Sequence, residues 1–292
     1  MHFPKSCVIY DYIFVGGNFS LYTSPLSDRT VERALFIAKQ KNLNYLTADY
    51  QRVYFGNEFC ERLLPGPEAL AEIRREIAGR ELQFTFVTPY VTEAGIRRTE
   101  RLLETLPAGT EVVFNDWGVL RIIRQNYPAL HVVQGRLLTK LKRGPRIAHF
   151  LDKLPPDALH HLRSTNLGVP AYQEFLKKQD INRVELDNPI QGLDLEGVPA
   201  ELKLSLYIPF AYVSTTRFCL VANCDIPEKK GMIGVFPCHQ ECQKYTFYLN
   251  NPVMTTLLIR KGNTLFFKNT KLPPDIKETN IDRIVIQPEI PM

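Results

Sequence analysis

The sequence predicts a parallel α/β protein, a (β/α)8 TIM-like barrel built as a single domain over residues 1–292. Three observations point there. Apolar, β-branched runs recur along the chain and are too uniformly apolar to be half-exposed, as parallel strands covered on both faces should be. Amphipathic helical patterns with start signals stand between them. No glycine-rich dinucleotide fingerprint follows any of these runs, which disfavours the doubly wound sheet that is the main competitor.

Taken in order, the predicted strands are VYFG (53–56), LQFTFVTPYV (82–91), EVVFND (111–116), LHVVQG (130–135), NRVELDN (182–188), LSLYIPFAYV (204–213) and DRIVIQP (282–288). The first predicted helix, PEALAEIRREIAGR, opens on Pro67, which suits a first helical turn, and runs out at Gly79. In the second, TEAGIRRTERLLETL, Thr92 is the cap and Glu93 lies in the first turn. Asp116 precedes the third, WGVLRIIRQN, and Pro128 follows it; Val169 and Pro170 lead into a fourth, AYQEFLKKQD. Residues 225–235 read as a loop, and residues 245–281 as a β-rich or irregular insertion before the last strand.

A hydrophobic content of 45% supports a large core, and a charged content of 23% is ordinary for a globular chain. The net charge of +5 is too small by itself to imply a nucleic-acid partner. The densest basic stretch, RLLTKLKRGPR (136–146), reads first as a solvated face and second as a contact for RNA. The first 17 residues lack the basic start and small-residue cleavage site of a secretion signal, and no apolar run approaches the roughly 18 residues of a membrane span. A cytoplasmic location is expected.

Four of the six cysteines, Cys219, Cys224, Cys238 and Cys242, fall within a segment at 215–245. In a reducing compartment such clustering favours a metal over disulfides. Four soft thiolates suit iron–sulfur iron or a structural zinc, and the spacing leaves both open. His239, between two of these cysteines, is a further candidate ligand or donor to a ligand. The other histidines show no metal-binding spacing, and no nucleophile-elbow, zincin or phosphate-loop motif is present.

A barrel carries its active site at the C-terminal ends of its strands. Polar residues at those ends include Asn57, Glu58, Asn115, Asp116, Gln134, Arg136, Glu185, Asp187, Arg217 and Gln287. Of these, Asn115, Asp116, Glu185, Asp187 and Arg217 are the expected small-molecule pocket, with helix capping the alternative role for Asp116.

CHQECQKY (238–245), TTRFCLVANC (215–224), YFGNEFCER (54–62), FNDWG (114–118) and IDRIVIQPE (281–289) are motifs in which the chain resembles the collagenase-like U thirty-two peptidase family, most closely its UbiV-type branch. The resemblance covers most of the chain from about residue 50. It implies a barrel with a four-iron, four-sulfur (4Fe–4S) cluster, acting in oxygen-independent hydroxylation of a ubiquinone precursor beside a homologous partner subunit in a heterodimer. Alternatives within the resemblance are hydroxylation of RNA bases, or a peptidase-type hydrolase with structural zinc. The general family pattern implies the ligands Cys219, Cys224, Cys238 and Cys242; the UbiV-type pattern puts Cys60 in place of Cys224. The chain departs from the family in its shorter cysteine spacings and in having Gln243 where an arginine is usual. Cys7 has no part in either ligand set and reads as a buried small hydrophobe.

Overall fold

The computed structural model describes residues 18–23 and 50–292, apart from 253, 255 and 275. The N-terminal run considered above as a secretion signal, and Cys7 within it, lie outside the described residues. Twelve strands are described: β1 (Asn18–Thr23), β2 (Arg52–Gly56), β3 (Gln83–Val87), β4 (Glu111–Phe114), β5 (His131–Gln134), β6 (Arg183–Asp187), β7 (Lys203–Ile208), β8 (Phe210–Thr215), β9 (Phe247–Leu249), β10 (Leu258–Lys261), β11 (Thr264–Lys268) and β12 (Ile281–Ile286). Eight of them form a closed ring, β1-β12-β7-β6-β5-β4-β3-β2, in which every pairing is parallel. The other four form an antiparallel sheet in the order β8-β11-β10-β9.

Every predicted strand appears, with one revision. The run 204–213 is two strands in two different sheets. The chain passes from β7 to β8 at Pro209, whose ring nitrogen has no hydrogen to continue a ladder. The stretch 245–281 supplies β9, β10 and β11, with irregular chain between and around them. β1 was not anticipated.

Five α-helices are described: α1 (Pro67–Ala78), α2 (Glu93–Leu103), α3 (Trp117–Asn126), α4 (Pro156–Arg163) and α5 (Pro170–Lys178). Their starts follow the sequence signals. Pro67 and Pro170 open α1 and α5, Thr92 accepts the Gly95 N–H at the head of α2, and Asp116 accepts the Gly118 N–H at the head of α3. Among the described residues, the regular alternation of strand and helix runs from β2 to β6. Residues 188–202 join β6 to β7 without an α-helix, and the small sheet occupies the β7-to-β12 connection. A parallel barrel is thus present, but not a helix for every strand.

The uniformly apolar strands are explained by two covered faces. Val53, Phe55, Phe86, Val112, Phe114, Val184, Leu204 and Ile284 point outward beneath the helices, where Leu70, Ile73, Ile77, Val119 and Ile123 meet them. Tyr54, Val87, Val113, Val133, Tyr207 and Val285 point inward and fill the middle of the barrel. At the strand starts the interior turns ionic. Arg283 donates to Glu111 and to the Tyr54 hydroxyl, each at 2.6 Å, and Arg52 donates to Thr85 at 2.9 Å. Among the described residues no helix is long and apolar enough to cross a membrane.

Candidate metal centre

Three separate pieces of chain bring cysteines to the C-terminal side of the barrel, and a fourth packs against them. The first is the loop after β2. Gly56 has φ +141°, and a Cβ there would lie 2.0 Å from the Val87 carbonyl oxygen, so the backbone can make this turn only with glycine. Next, the Asn57 side-chain oxygen accepts the N–H groups of Phe59 (2.9 Å) and Cys60 (2.8 Å), an Asx-type turn that sets Cys60 in place. Phe59 then packs edge-on against Phe266 and Tyr212, docking the loop on the small sheet.

The second and third pieces are the turns after β8 and before β9. Cys219 lies just past β8, and Cys238 and Cys242 flank a short turn. Glu241 ties these two pieces together by accepting the N–H of Asn223 at 2.6 Å and that of His239 at 3.1 Å. The Gln240 side chain reaches across to the carbonyl of Arg62 at 3.3 Å, joining the turn to the Cys60 loop. The fourth piece is the β10–β11 hairpin. Gly262, at φ +57°, allows it to approach Cys242, and a Cβ there would sit 3.3 Å from the Cys242 Cβ.

All five described cysteines are free thiols. Burial pushes Cys60 up to about 11 and Cys242 up to about 12, and raises Cys238 and Cys224 as well. The mutual influences are more informative than the shifts. Charge on Cys219 and Cys238 raises Cys60; charge on Cys60, Cys219 and Cys238 raises Cys242; charge on Cys219 raises Cys238. Every pair among Cys60, Cys219, Cys238 and Cys242 is therefore in electrostatic reach. Cys224 feels Asp225 and Glu241 before Cys219, and like Cys60 and Cys219 it packs against the apolar cluster that contains Cys242. Donors already face the clustered sulfurs. The Arg62 and Leu63 N–H groups point to Cys60, the Gln240 N–H to Cys238 at 3.4 Å, and the Gln243 amide to Cys242 at 3.3 Å. Among the described residues, His160, Asp194 and Glu196 form the single trio of potential ligands with donor atoms within 4.8 Å of one another, on the surface. No three of the cysteine sulfurs are that close. His239 is exposed and contributes its backbone to the turn.

Beneath this lobe the barrel mouth is filled. Arg136, wholly buried, donates to both oxygens of Glu58 (2.9 and 2.8 Å), to Asp187 (2.9 Å) and to the Phe210 carbonyl (2.9 Å). Burial works against its charge, but Glu58 and Asp187 outweigh that and hold it protonated. Arg143 takes the other Asp187 oxygen at 2.9 Å and lies over the Tyr212 ring. Two of the five cations in the basic stretch 136–146 are thereby drawn into the protein, which reduces the solvated face read from the sequence.

The five residues expected to form a pocket do different things. Asn115 is buried, donating to the Thr88 carbonyl and accepting from the Leu137 N–H. Asp116 caps α3 and accepts the Val91 N–H. Asp187 is spent between Arg136, Arg143 and the Tyr212 N–H. Glu185 lies inside the barrel, where Tyr207 donates to one oxygen and the other has no hydrogen-bond partner among the described residues. Burial, then the charge of Glu58, raises its pKa to about 8, so at neutral pH it holds a proton. Arg217 is exposed and donates to the Val91 carbonyl. These side chains do not converge on one opening. Glu58 and Arg136, also at strand ends, are the pair that dominates the mouth; a charged residue two positions past a barrel strand was the signal for both.

Comparison with known proteins adds little to this geometry. No family model matches the sequence, and no curated protein matches it. Among solved structures, the chain is similar to the U32 peptidase Mk0906, with 11% identity over 97% of each chain and a TM-score of 0.41. It is also similar to a chitinase from Chromobacterium violaceum, with 8% identity, 92% of this chain and 93% of that one covered, and a TM-score of 0.35. A chitinase from Trichuris suis gives 9% identity, coverage of 92% and 91%, and a TM-score of 0.26. Likenesses this distant decide neither family nor activity.

Proposed function

We propose that this chain is an iron–sulfur protein of the oxygen-independent hydroxylation type, with Cys60, Cys219, Cys238 and Cys242 as the cluster ligands. The observation that carries the reading is that these four thiols come from three separate pieces of chain into one lobe, tied together by Glu241 and Gln240, with Cys60, Cys219 and Cys242 on one apolar cluster. The donor set is right for a cluster: four soft sulfurs, three of them already facing N–H donors of the kind that tune cluster potentials. Closed tetrahedral zinc is less well supported, because Zn–S bonds of about 2.3 Å require all four sulfurs within roughly 3.8 Å of one another. No three of them lie within 4.8 Å. A cluster several ångströms across suits the wider arrangement.

A bound cluster supplies one-electron transfer. The chain's own residues do the rest. The Asn57 turn presents Cys60, Glu241 joins the two turns bearing the other three ligands, and Phe59, Phe266 and Ile259 form an apolar floor beneath the centre. The buried Glu58–Arg136–Asp187 network separates this floor from the barrel interior, so the hydroxylation reading assigns the chain a cofactor-holding part.

The test is anaerobic purification followed by iron, sulfide and zinc analysis with an absorption spectrum. About four irons and four sulfides per chain, with a broad band near ~400 nm, is the expected result. One zinc without sulfide overturns the proposal.

A further inference from the structure

The exposed apolar surface is distributed unevenly. Of the large hydrophobic side chains that stand exposed among the described residues, Trp117, Phe150 and Val169 are scattered over the barrel, and the rest lie between Phe218 and Leu257. The lobe that carries the cysteines thus also carries nearly all of this surface. It is continuous. The Phe218 ring lies on Gly234, where a Cβ would be 2.4 Å away, and Phe236 stacks with Arg62 beside the Cys60 loop. Tyr245 leads from the Cys242 turn directly into β9.

Among the described residues β9 is the last strand of its sheet, and all three of its residues are exposed, Tyr248 at 64%. An apolar edge strand of this kind, with no charge or proline within it, is a template for another strand. We propose that the cysteine lobe is a dimerisation face, on which β9 pairs antiparallel with β9 of a second copy of this chain across a two-fold axis.

Three observations favour a second copy over an unrelated partner. First, an antiparallel pairing centred on Tyr248 is self-complementary: the two Tyr248 rings meet across the axis, an aromatic cross-strand pair. Second, residues 216–250 carry Arg217, Lys229, Lys230 and Lys244 against Asp225, Glu228 and Glu241, so two such lobes approach with almost no net charge to repel them. Third, the area is sufficient. With about 200 Å² per aromatic side chain, the exposed fractions of Phe218, Phe236, Tyr245, Phe247 and Tyr248 alone come to roughly 450 Å². The neighbouring aliphatic side chains bring the face to roughly 800 Å², about what one partner contributes to a stable interface and more than the few hundred Å² a monomer usually leaves exposed. The proposal holds whichever metal the cysteines take.

Sedimentation velocity of the full chain, purified anaerobically, tests it over about 1 to 100 µM. A concentration-dependent dimer is expected. Tyr248→Lys, which sets two lysines opposite each other on the axis, and Leu249→Lys, which sets a lysine opposite Phe247 of the second copy, should each weaken it about a hundredfold while leaving thermal melting and metal content unchanged. If Tyr248→Lys lowers the melting temperature, Leu249→Lys carries the comparison. A wild-type chain that stays monomeric at the top of the range overturns the proposal. So does a dimer that both substitutions leave intact.

Discussion

At the scale of single residues the molecule is governed by what burial does to charge. Glu185 is the sharpest case. Buried among Tyr54, Tyr207, Glu58, Glu111 and Arg283, with one oxygen unpartnered among the described residues, its carboxyl is raised to about 8 in the folded chain against an ordinary 4.5. Below about 4.5 both folded and unfolded chains hold its proton; between 4.5 and 8 only the folded chain does. The unfolded state therefore binds fewer protons across that window, and this residue costs the fold about 1.4 kcal/mol for each pH unit of rise. Glu185→Gln does not titrate. Its stability relative to wild type should climb from pH 5 to pH 8 and level off above, read by urea denaturation at a series of pH values; parallel curves would contradict this. Arg136 is the opposite case, a buried charge that is fully paired. Arg136→Met leaves Glu58 without its partner and should cost about 3–5 kcal/mol in the same measurement. Cys219, Cys238 and Cys242 stood out in the sequence because they share one segment with Cys224, whereas Cys60, far off in the chain, entered only through the family resemblance. The pocket residues were not legible, because position at a strand end does not reveal whether a side chain is spent on a cap (Asp116), a carbonyl (Asn115) or an ion pair (Asp187).

At the scale of elements, the sequence signals that located strands and helices were local ones, and they hold. Apolar runs became β2 to β7 and β12, and proline or cap residues opened α1, α2, α3 and α5. What local signals did not reveal was sheet membership. LSLYIPFAYV is one apolar run, yet Pro209 divides it between the barrel and the small sheet. The loop after β2 shows how a single turn serves the centre. Gly56→Ala forces a Cβ against the Val87 carbonyl at a left-handed φ. It should cost about 2–4 kcal/mol and reduce bound iron by displacing Cys60. Gly66→Ala is the control: its new Cβ meets the Glu68 carboxylate at an ordinary 3.4 Å, and melting and iron content should stay as in wild type.

At the scale of the whole molecule, the arrangement depends on contacts between residues far apart in the chain, which a single sequence does not display. Glu58 meets Arg136, Asn263 donates to the Phe59 carbonyl at 2.7 Å, and Gln240 reaches Arg62. Together they fold the β2 loop, the two cysteine turns and the β10–β11 hairpin into one lobe over a filled barrel mouth. The parallel barrel was readable from periodicity; its incomplete helical ring was not, because the β7-to-β12 crossover is made by the small sheet. The choice between Cys60 and Cys224 is likewise a property of the assembled lobe, and it is the central claim. The direct test is iron and sulfide content of Cys60→Ala and Cys224→Ala, prepared anaerobically beside wild type. Loss of the cluster in Cys60→Ala with near wild-type content in Cys224→Ala is the predicted result. The reverse pattern, a full cluster without Cys60 and none without Cys224, would contradict the assignment.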